Sequence, residues 1–130
     1  MPTPAVQFRV DFGGAEPVGP GKIALLEQIA RGGSLSQAAR DMKMSYRRAW
    51  QLLESLNGCF RERVALTAKG GRGGGGATLT RLGRELISAY RAFDAEIQAR
   101  AARRFRPILG QARPRRPARK RARVVRLTKR

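Results

Sequence analysis

The apolar positions of the chain fall into stripes with two different spacings, which predict helices and a short hairpin. The first stripe runs at helical spacing from Ile23 to Ile29. Pro20 precedes it at a place that a first helical turn tolerates, and Gly32-Gly33 follows as a helix-ending pair. A helix is therefore expected between these boundaries. Ahead of it, residues 5–12 alternate roughly between apolar and polar types, which is typical of a short strand.

Two more helices are predicted directly after the first. Ser34 and Gln37 fit a capping box, in which the serine hydroxyl and the glutamine side chain each satisfy a free backbone N–H. Lys43-Met44 forms a turn, and Ser45 is the N-cap candidate of a longer helix that runs towards Asn57-Gly58. The inner face of the short helix comprises Ala38, Ala39 and Met42. The predicted apolar face of the longer helix comprises Ala49, Trp50, Leu53, Leu56 and Phe60.

A hairpin and a long helix complete the pattern. Residues 64–67 and 77–79 predict two strands, and the glycine-rich run 69–76 predicts the loop between them. Thr80 can cap the last helix, whose apolar stripe continues as far as Ala101 at helical spacing. Because such a stripe packs against a partner helix, its larger members are expected to form a dimer contact. These members are Leu82, Leu86, Tyr90, Phe93 and Ile97.

A short helix, a tight turn, a longer helix and a hairpin in this order predict a winged helix-turn-helix. The expected fold class is mainly α, with a small β-hairpin and a long C-terminal dimerisation helix. The domain is expected to cover residues 1–105, with the dimerisation helix at about 80–105. Residues 106–130 contain 11 basic residues, three prolines and no acidic residue, which predicts a disordered basic tail.

The chain carries a net charge of +19, which is far outside the ordinary balance of a globular protein. A charge of this size destabilises the compact state by self-repulsion unless a bound polyanion neutralises it. The candidate partners are therefore nucleic acid and an anionic membrane surface. No apolar run reaches the length of a transmembrane helix, and the first residues lack the features of a secretion signal. We therefore expect a protein of the cytoplasm, associated with the nucleoid and not with a membrane.

The sequence has few residues of the kinds that catalyse reactions or bind metals. The chain has no histidine and a single cysteine, Cys59, which removes the commonest general base and leaves no cysteine-based zinc site or internal disulfide. Clustered carboxylates, a nucleophile–base pair and metal-ligand spacing are all missing from the sequence. We therefore expect a protein that is not an enzyme and has no cofactor or metal. No effector site for a small molecule can be identified.

The helix-turn-helix pattern suits double-stranded DNA for a geometric reason. The major groove admits one α-helix, and residues at the N-terminal end of that helix reach base edges. Arginine can bind guanine, and glutamine can bind adenine, through a bidentate pair of hydrogen bonds. Tyr46 fits either the groove or the core, whereas Trp50 is expected in the core. The predicted DNA contacts are Ser34, Ser36, Ser45, Tyr46, Arg47, Arg48 and Gln51 on the helices and Lys69, Arg72, Gly73 and Gly74 in the loop.

Three segments resemble the N-terminal DNA-binding domain of bacterial molybdate-responsive regulators of the ModE type, which are related to LysR-type winged helices. They are residues 33–39, 44–50 and 70–80, and the resemblance covers residues 21–90. It implies a dimeric regulator in which the last helix pairs the subunits, the helix after Ser45 reads DNA and the glycine loop is the wing. Family members often carry a second domain that binds the oxyanion. Residues 106–130 are too short and too charged for it, so we expect a link to molybdate metabolism without an oxyanion-binding domain.

Sequence-specific regulation of transcription is the function that these patterns favour, and two alternatives stay open. A winged helix with a basic tail also suits a histone-like architectural protein that binds DNA with little sequence preference. A ribosomal-type RNA-binding protein fits the charge but not the wing. Site-specific binding that survives removal of residues 106–130 would separate the regulator from the architectural protein.

Overall fold

The computed structural model describes residues 3–68 and 76–113. Its elements are α1 (Pro20–Gly32), α2 (Leu35–Asp41), α3 (Tyr46–Asn57), β1 (Ala65–Ala68), β2 (Gly76–Leu79), α4 (Arg81–Arg104) and a 3-10 helix (Arg106–Gln111). The strands β1 and β2 pair antiparallel, with Ala65 opposite Leu79. The predicted fold class is confirmed, because the chain is mostly helical and combines a two-stranded hairpin with a long last helix.

One apolar core lies between α1, α2, α3 and the hairpin. The buried alanines Ala38 and Ala39 allow α2 to pack closely against α1 and α3, as their small size predicted. Met42, expected on the same inner face, packs against the core while partly buried. The largest fully buried side chains are Val18, Ile23, Leu25, Leu26, Ile29, Leu35, Leu53, Leu56 and Val64.

Side-chain caps determine where three of the helices begin. Ser34 Oγ accepts a hydrogen bond from the backbone N–H of Gln37 at 3.0 Å. Ser45 Oγ accepts one from the N–H of Arg48 at the same distance, and Thr80 Oγ1 caps α4 in the same way. Each cap satisfies one of the N–H groups that a helix start leaves without an intrahelical partner.

The second half of the predicted capping box is wrong. Gln37 Oε1, which would accept from the N–H of Ser34, accepts instead from Arg40 Nη2 at 2.8 Å. Gln37 Nε2 donates to Asp41 Oδ1 at 2.8 Å. The oxygen and the nitrogen of the Gln37 amide are therefore both bound to charged side chains one turn further along the helix. These hydrogen bonds are preferred to one with the backbone of Ser34, because hydrogen bonds to charged groups are stronger than neutral ones.

Gly33 joins the end of α1 to the hairpin. Its φ of 68° lies in the left-handed region that glycine adopts without steric cost, and its N–H donates to the carbonyl of Ile29 at 2.8 Å. Its own carbonyl accepts from the N–H of Ala77 at 3.0 Å, beside an antiparallel bridge between Ser34 and Gly76. The base of the hairpin is thereby fixed against the corner between α1 and α2.

Val64 lies where α3, the hairpin and α4 meet. Its side chain is fully buried, and its N–H donates to Asn57 Oδ1 of α3 at 2.7 Å. Its carbonyl accepts from the N–H of Thr80 at 3.0 Å. Gly83 in the first turn of α4 packs so closely on the same carbonyl that a Cβ at position 83 would overlap it. The strand β1 begins one residue later than predicted, at Ala65.

The segment before α1 is not a strand, so the prediction for residues 5–12 is wrong. Within it, only Val10 forms a backbone pair, an antiparallel bridge with Val18 whose two N–H···O distances are both 2.8 Å. The alternation of apolar and polar residues instead reflects a segment that lies along α4. Side chains of that helix satisfy backbone groups that a partner strand would otherwise satisfy.

Polar and aromatic contacts hold this segment on α4. The amide of Gln98 accepts from the N–H of Val6 at 3.0 Å and donates to its carbonyl at 2.8 Å. Tyr90 Oη donates to the carbonyl of Phe8 at 2.9 Å. The ring of Phe8 stacks on Tyr90 with 4.6 Å between centroids and meets the edge of Phe93 at 5.1 Å. The N-terminal segment therefore covers part of the apolar stripe of α4.

The remaining stripe of α4 is divided between the core and the surface. Leu86 and Tyr90 are buried within the chain, and Leu82 packs against the core while partly buried. This burial leaves Leu86 and Tyr90 little surface for the dimer contact predicted for them. Phe93 is 45% exposed and Ile97 is half-buried, so the accessible apolar surface lies in the middle of α4.

None of the helices in residues 3–68 and 76–113 has the apolar length needed to span a lipid bilayer.

Helical structure continues past the predicted end of the domain. The sequence placed the start of a disordered tail at residue 106, whereas a 3-10 helix covers Arg106–Gln111. Pro107 is compatible with it, because a first turn requires no N–H at that position. Residues 114–130, which form most of the predicted tail, lie outside the described residues.

Glu27 of α1 and Arg91 of α4 form an ion pair with two hydrogen bonds, from Nε at 2.8 Å and from Nη2 at 2.6 Å. The hydrogen bond from Arg91 lowers the pKa of the Glu27 carboxyl below its ordinary value, and burial opposes this shift. A carboxyl whose pKa is lowered by folding stabilises the folded state above its unfolded pKa. That stabilisation is lost as the pH falls through the folded pKa.

The Gly83→Ala variant should lower the free energy of unfolding, because its methyl group would displace the carbonyl of Val64. We expect a loss of about 1–3 kcal/mol, despite the better helix propensity of alanine. Urea unfolding followed by circular dichroism measures the change. Gly21→Ala is the matched control, since a Cβ at position 21 of α1 meets no atom within 4 Å. Equal stability of the two variants would contradict the close packing at Val64.

The Glu27→Gln variant should be less stable near neutral pH, by no more than about 1 kcal/mol because the pair is partly exposed. On acidification from about pH 6 to about pH 3 it should lose less stability than the unmodified protein, since it lacks the carboxylate that becomes protonated. Thermal unfolding across this pH range is the measurement. Glu62→Gln is the control, because Glu62 is exposed and makes no ion pair within the described residues. If both variants follow the same pH profile, the pair contributes nothing.

Candidate nucleic-acid interface

The turn between α2 and α3 sets the direction in which α3 leaves the core. Lys43 adopts a φ of 58°, in the left-handed region, and the N–H of Met44 donates to the carbonyl of Ala39 at 3.0 Å. The Ser45 cap then begins α3, whose first turn contains no acidic residue. Because α3 buries one face against the core, its opposite face projects from the domain.

The outward face of α3 carries most of the helical residues that the sequence assigned to DNA. Its N-terminal half exposes a mixture of basic, amide and aromatic side chains that lie within two turns of one helix. We define these as the α3 surface: Ser45, Tyr46, Arg47, Arg48, Trp50 and Gln51. Arg47 and Arg48 make no ion pair with any residue that the structure describes. Their charges are therefore available to an external anion.

Trp50 is a correction to the sequence analysis, which expected it in the core. Its side chain is 45% exposed, and Tyr46 one turn earlier is 46% exposed. The buried positions of α3 are Ala49, Leu53 and Leu56, and this stripe is too narrow to include the neighbouring Trp50. Phe60, the last member of the predicted apolar face, does pack against the core while partly buried.

The serines predicted as DNA contacts lie at two helix starts. Ser34 and Ser36 are half-buried at the start of α2, and Ser45 is exposed at the start of α3. Ser34 and Ser45 use their oxygens as cap acceptors, which leaves each hydroxyl hydrogen able to donate. These groups and the free N–H groups of the helix starts are suited to bind phosphate oxygens.

Carboxylates near α3 are held by cations. Glu54, at the end of the outward face, pairs with Arg63 at 2.6 Å. Glu16 pairs with Lys22 at 3.2 Å, and the hydrogen bond from Lys22 is the main cause of a Glu16 pKa below its ordinary value. The charge of Arg48 lowers the same pKa further. These pairs reduce the repulsion that a phosphate would meet beside α3.

Lys22 was not among the predicted functional residues, yet it ties the N-terminal segment to α1 and α3. It is buried, and its Nζ donates to Glu16, to the carbonyl of Pro17 at 3.0 Å and to Ser55 Oγ at 3.0 Å. Asn57, also missed, anchors the hairpin through Val64. Local sequence gives no sign of either contact, because each partner lies in another element.

The glycine loop between β1 and β2 contains Lys69, Arg72, Gly73 and Gly74, all predicted as DNA contacts. These four positions lie outside the described residues. The stem of the hairpin is described, and Leu66 of β1 and Thr78 of β2 lie opposite each other on its exposed side. The assignment of the loop residues to DNA therefore stays a prediction.

Substitutions on α3 should separate its two faces. Leu53→Ala removes a fully buried side chain and should lower the free energy of unfolding by about 2–5 kcal/mol. Trp50→Ala removes a larger but half-exposed side chain and should cost only about 1 kcal/mol. Urea unfolding followed by circular dichroism compares the two. If Trp50→Ala lowered the free energy of unfolding as much as Leu53→Ala, Trp50 would have to be part of the core.

No family model matches this chain. It is 42% identical over 80 residues to the molybdenum-pterin-binding protein MopB of Rhodobacter capsulatus, covering 62% of this chain and 30% of that protein. It is 44% identical over 82 residues to the DNA-binding transcriptional dual regulator ModE of Escherichia coli (strain K12), covering 63% and 31%. Over 78 residues it is 40% identical to the molybdenum transport protein ModE of Azotobacter vinelandii, covering 60% and 29%.

The matched region is a domain-sized part of longer proteins, because the chain spans less than a third of the length of these relatives. Its level of identity is similar in relatives from different bacteria. The resemblance inferred from the glycine loop and the helix-turn-helix segments is therefore confirmed. About 60% of this chain is similar in sequence to part of the ModE and MopB proteins.

Proposed function

We propose that this protein is a sequence-specific regulator of transcription that binds double-stranded DNA through the α3 surface. The observation that carries the proposal is the exposure of Arg47, Arg48 and Gln51 together on the outward half of a helix whose other face is buried. An exposed helix face, with cations at its N-terminal end that pair with no acidic group among the described residues, fits the width and charge of the major groove.

The two kinds of side chain on this surface supply different parts of recognition. Arg47 and Gln51 lie one turn apart, so they face neighbouring base pairs when α3 lies in the groove. Arginine discriminates guanine and glutamine discriminates adenine by about 1–3 kcal/mol per bidentate pair. Arg48 lies closer to the side of α3 that faces Glu16, where it is suited to a phosphate.

Phosphate contacts elsewhere would fix the register of α3 without reading sequence. Ser34 and Ser36 at the start of α2 are suited to one strand of the backbone. Lys69 and Arg72 of the wing are assigned to a second contact, where Gly73 and Gly74 allow close approach. The basic residues of 106–130 would add affinity that falls steeply with salt.

Homodimer formation belongs to the same proposal. Phe93 and the half-buried Ile97 on α4 supply an apolar surface that a second copy of α4 would cover. A twofold dimer presents two α3 helices to half-sites one helical turn apart, or a multiple of that distance. The protein would act at the chromosome, in the cytoplasm, as a binding protein without catalytic activity.

The names of the relatives support a connection with molybdenum. Two of them are called ModE, one as a transcriptional regulator and one as a molybdenum transport protein, and MopB is named for molybdenum-pterin binding. We extend to this chain a regulatory role linked to molybdenum.

The second candidate function is an architectural protein with little sequence preference. The net charge of +19, with 11 basic residues in residues 106–130, favours it. Selection of DNA from a random pool by the full chain, at moderate salt and with non-specific competitor, decides between the two. An enriched inverted repeat supports the dimeric regulator. Binding without enrichment that disappears as salt rises supports the architectural function.

Arg47→Ala should weaken binding to the selected site by about 1–3 kcal/mol, the value of one bidentate base contact. Binding to random DNA should weaken far less, because most of it depends on phosphate contacts. Fluorescence anisotropy with both duplexes at one salt concentration measures the difference. Arg100→Ala, at an exposed position of α4, removes the same charge outside the α3 surface and is the matched control. Equal weakening of both duplexes by Arg47→Ala would reassign Arg47 to a phosphate.

A further inference from the structure

The α3 surface contains apolar groups that its arginines and glutamine do not explain. Tyr46 and Trp50 are 46% and 45% exposed, and their spacing of one turn places them on the same side of α3. Large aromatic side chains normally bury most of their area in a core or an interface. Two of them side by side on the helix proposed to enter DNA therefore point to a partner that offers apolar groups.

We infer that Tyr46 and Trp50 read the C5-methyl groups of thymines in the major groove. This inference rests on the proposed function and names the bases that one part of the α3 surface recognises. The methyl of thymine is the characteristic apolar group that the base edges present in this groove, and apolar side chains contact it. The indole of Trp50 and the ring of Tyr46 supply such carbon surface at the end of the helix that lies deepest in the groove.

The surroundings of the two rings favour DNA over a protein as their partner. Arg47 precedes Trp50 by three residues and Gln51 by four, so polar groups that can read base edges lie next to the rings on the helix surface. The first turn of α3 contains no carboxylate, and Glu54 in its last turn is paired with Arg63. An apolar pair with an arginine on its outward side suits a groove in which methyl groups lie beside polar base edges.

A binding site read in this way combines polar and apolar contacts over adjacent base pairs. Gln51 accepts from and donates to the edge of an adenine, whose partner strand carries a thymine methyl. Trp50 lies on the neighbouring side of α3, where we expect it to contact that methyl or the one beside it. We therefore expect each half-site to contain thymines opposite α3, where a cytosine would lose the methyl contact.

The experiment replaces thymine by deoxyuridine in the site selected by the full chain. Deoxyuridine keeps every hydrogen-bonding group of thymine and lacks only the methyl. One thymine is replaced at a time, and affinity is measured at constant salt. At the positions under α3 we expect a loss of about fourfold for each methyl, the value of one buried methylene-sized group. At positions outside α3 we expect no change.

Variants then assign the effect to the two rings. Trp50→Ala should bind thymine-containing DNA more weakly and become insensitive to deoxyuridine at its own position, and Tyr46→Ala should do the same at a neighbouring position. Phe105→Ala is the matched control, because Phe105 is an equally exposed aromatic residue outside both the α3 surface and the proposed dimer contact. It should keep the full sensitivity of the unmodified protein to deoxyuridine.

A second measurement needs no substitution. Trp50 is the one tryptophan of the chain, so its fluorescence reports on this position alone. In the free protein, acrylamide should quench it readily, and the selected duplex should protect it.

The outcomes separate this inference from the proposed function. An enriched site whose affinity is unchanged by deoxyuridine, or a Trp50 that stays open to acrylamide on the duplex, overturns the methyl contact and leaves the regulator intact. A deoxyuridine effect that persists in both Trp50→Ala and Tyr46→Ala also overturns it. A selection without any enriched sequence overturns both proposals together.

Discussion

The peptide groups of Val64 are the constraint on which the arrangement of this domain depends. The N–H of the buried Val64 forms a hydrogen bond with the side chain of Asn57 at the end of α3. Its carbonyl forms another with the N–H of Thr80 at the start of α4. A buried backbone group without a partner costs about as much as a lost hydrogen bond, so neither helix can shift without breaking this junction. Gly83 permits the close approach, and Gly33 anchors the other strand through Ala77.

A rigid junction is what a base-reading helix requires. Recognition of base edges demands that side chains be held to a fraction of an ångström by elements that are themselves packed in place. The α3 surface meets this demand, because Ala49, Leu53 and Leu56 fix the helix from below and the Ser45 cap fixes where it begins. Charge and shape then have separate roles. In the proposed function, Arg48 would attract the phosphates, whereas Arg47, Gln51 and the two rings on the same face would distinguish one base pair from another.

Sequence reasoning succeeded where the determining interaction is local. Ser34, Ser45 and Thr80 cap the helices predicted for them, since a cap depends on residues three positions away. It failed at Gln37, whose amide binds the nearby Arg40 and Asp41, and it failed where the determining partner is distant. The spacing of Trp50 fits an apolar stripe, but its side chain is 45% exposed beside a buried stripe of Ala49, Leu53 and Leu56.

Residues 5–12 were assigned to a strand for a similar reason, because the alternation was visible and the side chains of α4 that replace a partner strand were not. The DNA contacts predicted for the wing loop involve positions outside the described residues, so their assignment rests on the sequence alone.

The amide clasp between Val6 and Gln98 spans 92 residues of sequence. Contacts of such long separation form late, because the entropy of closing the intervening chain must be overcome first. During synthesis, which proceeds from the N-terminus, the first apolar segment of this protein has no docking surface until α4 has left the ribosome. Phe8 and its neighbours can therefore dock only after α4 is available, although they precede it along the chain.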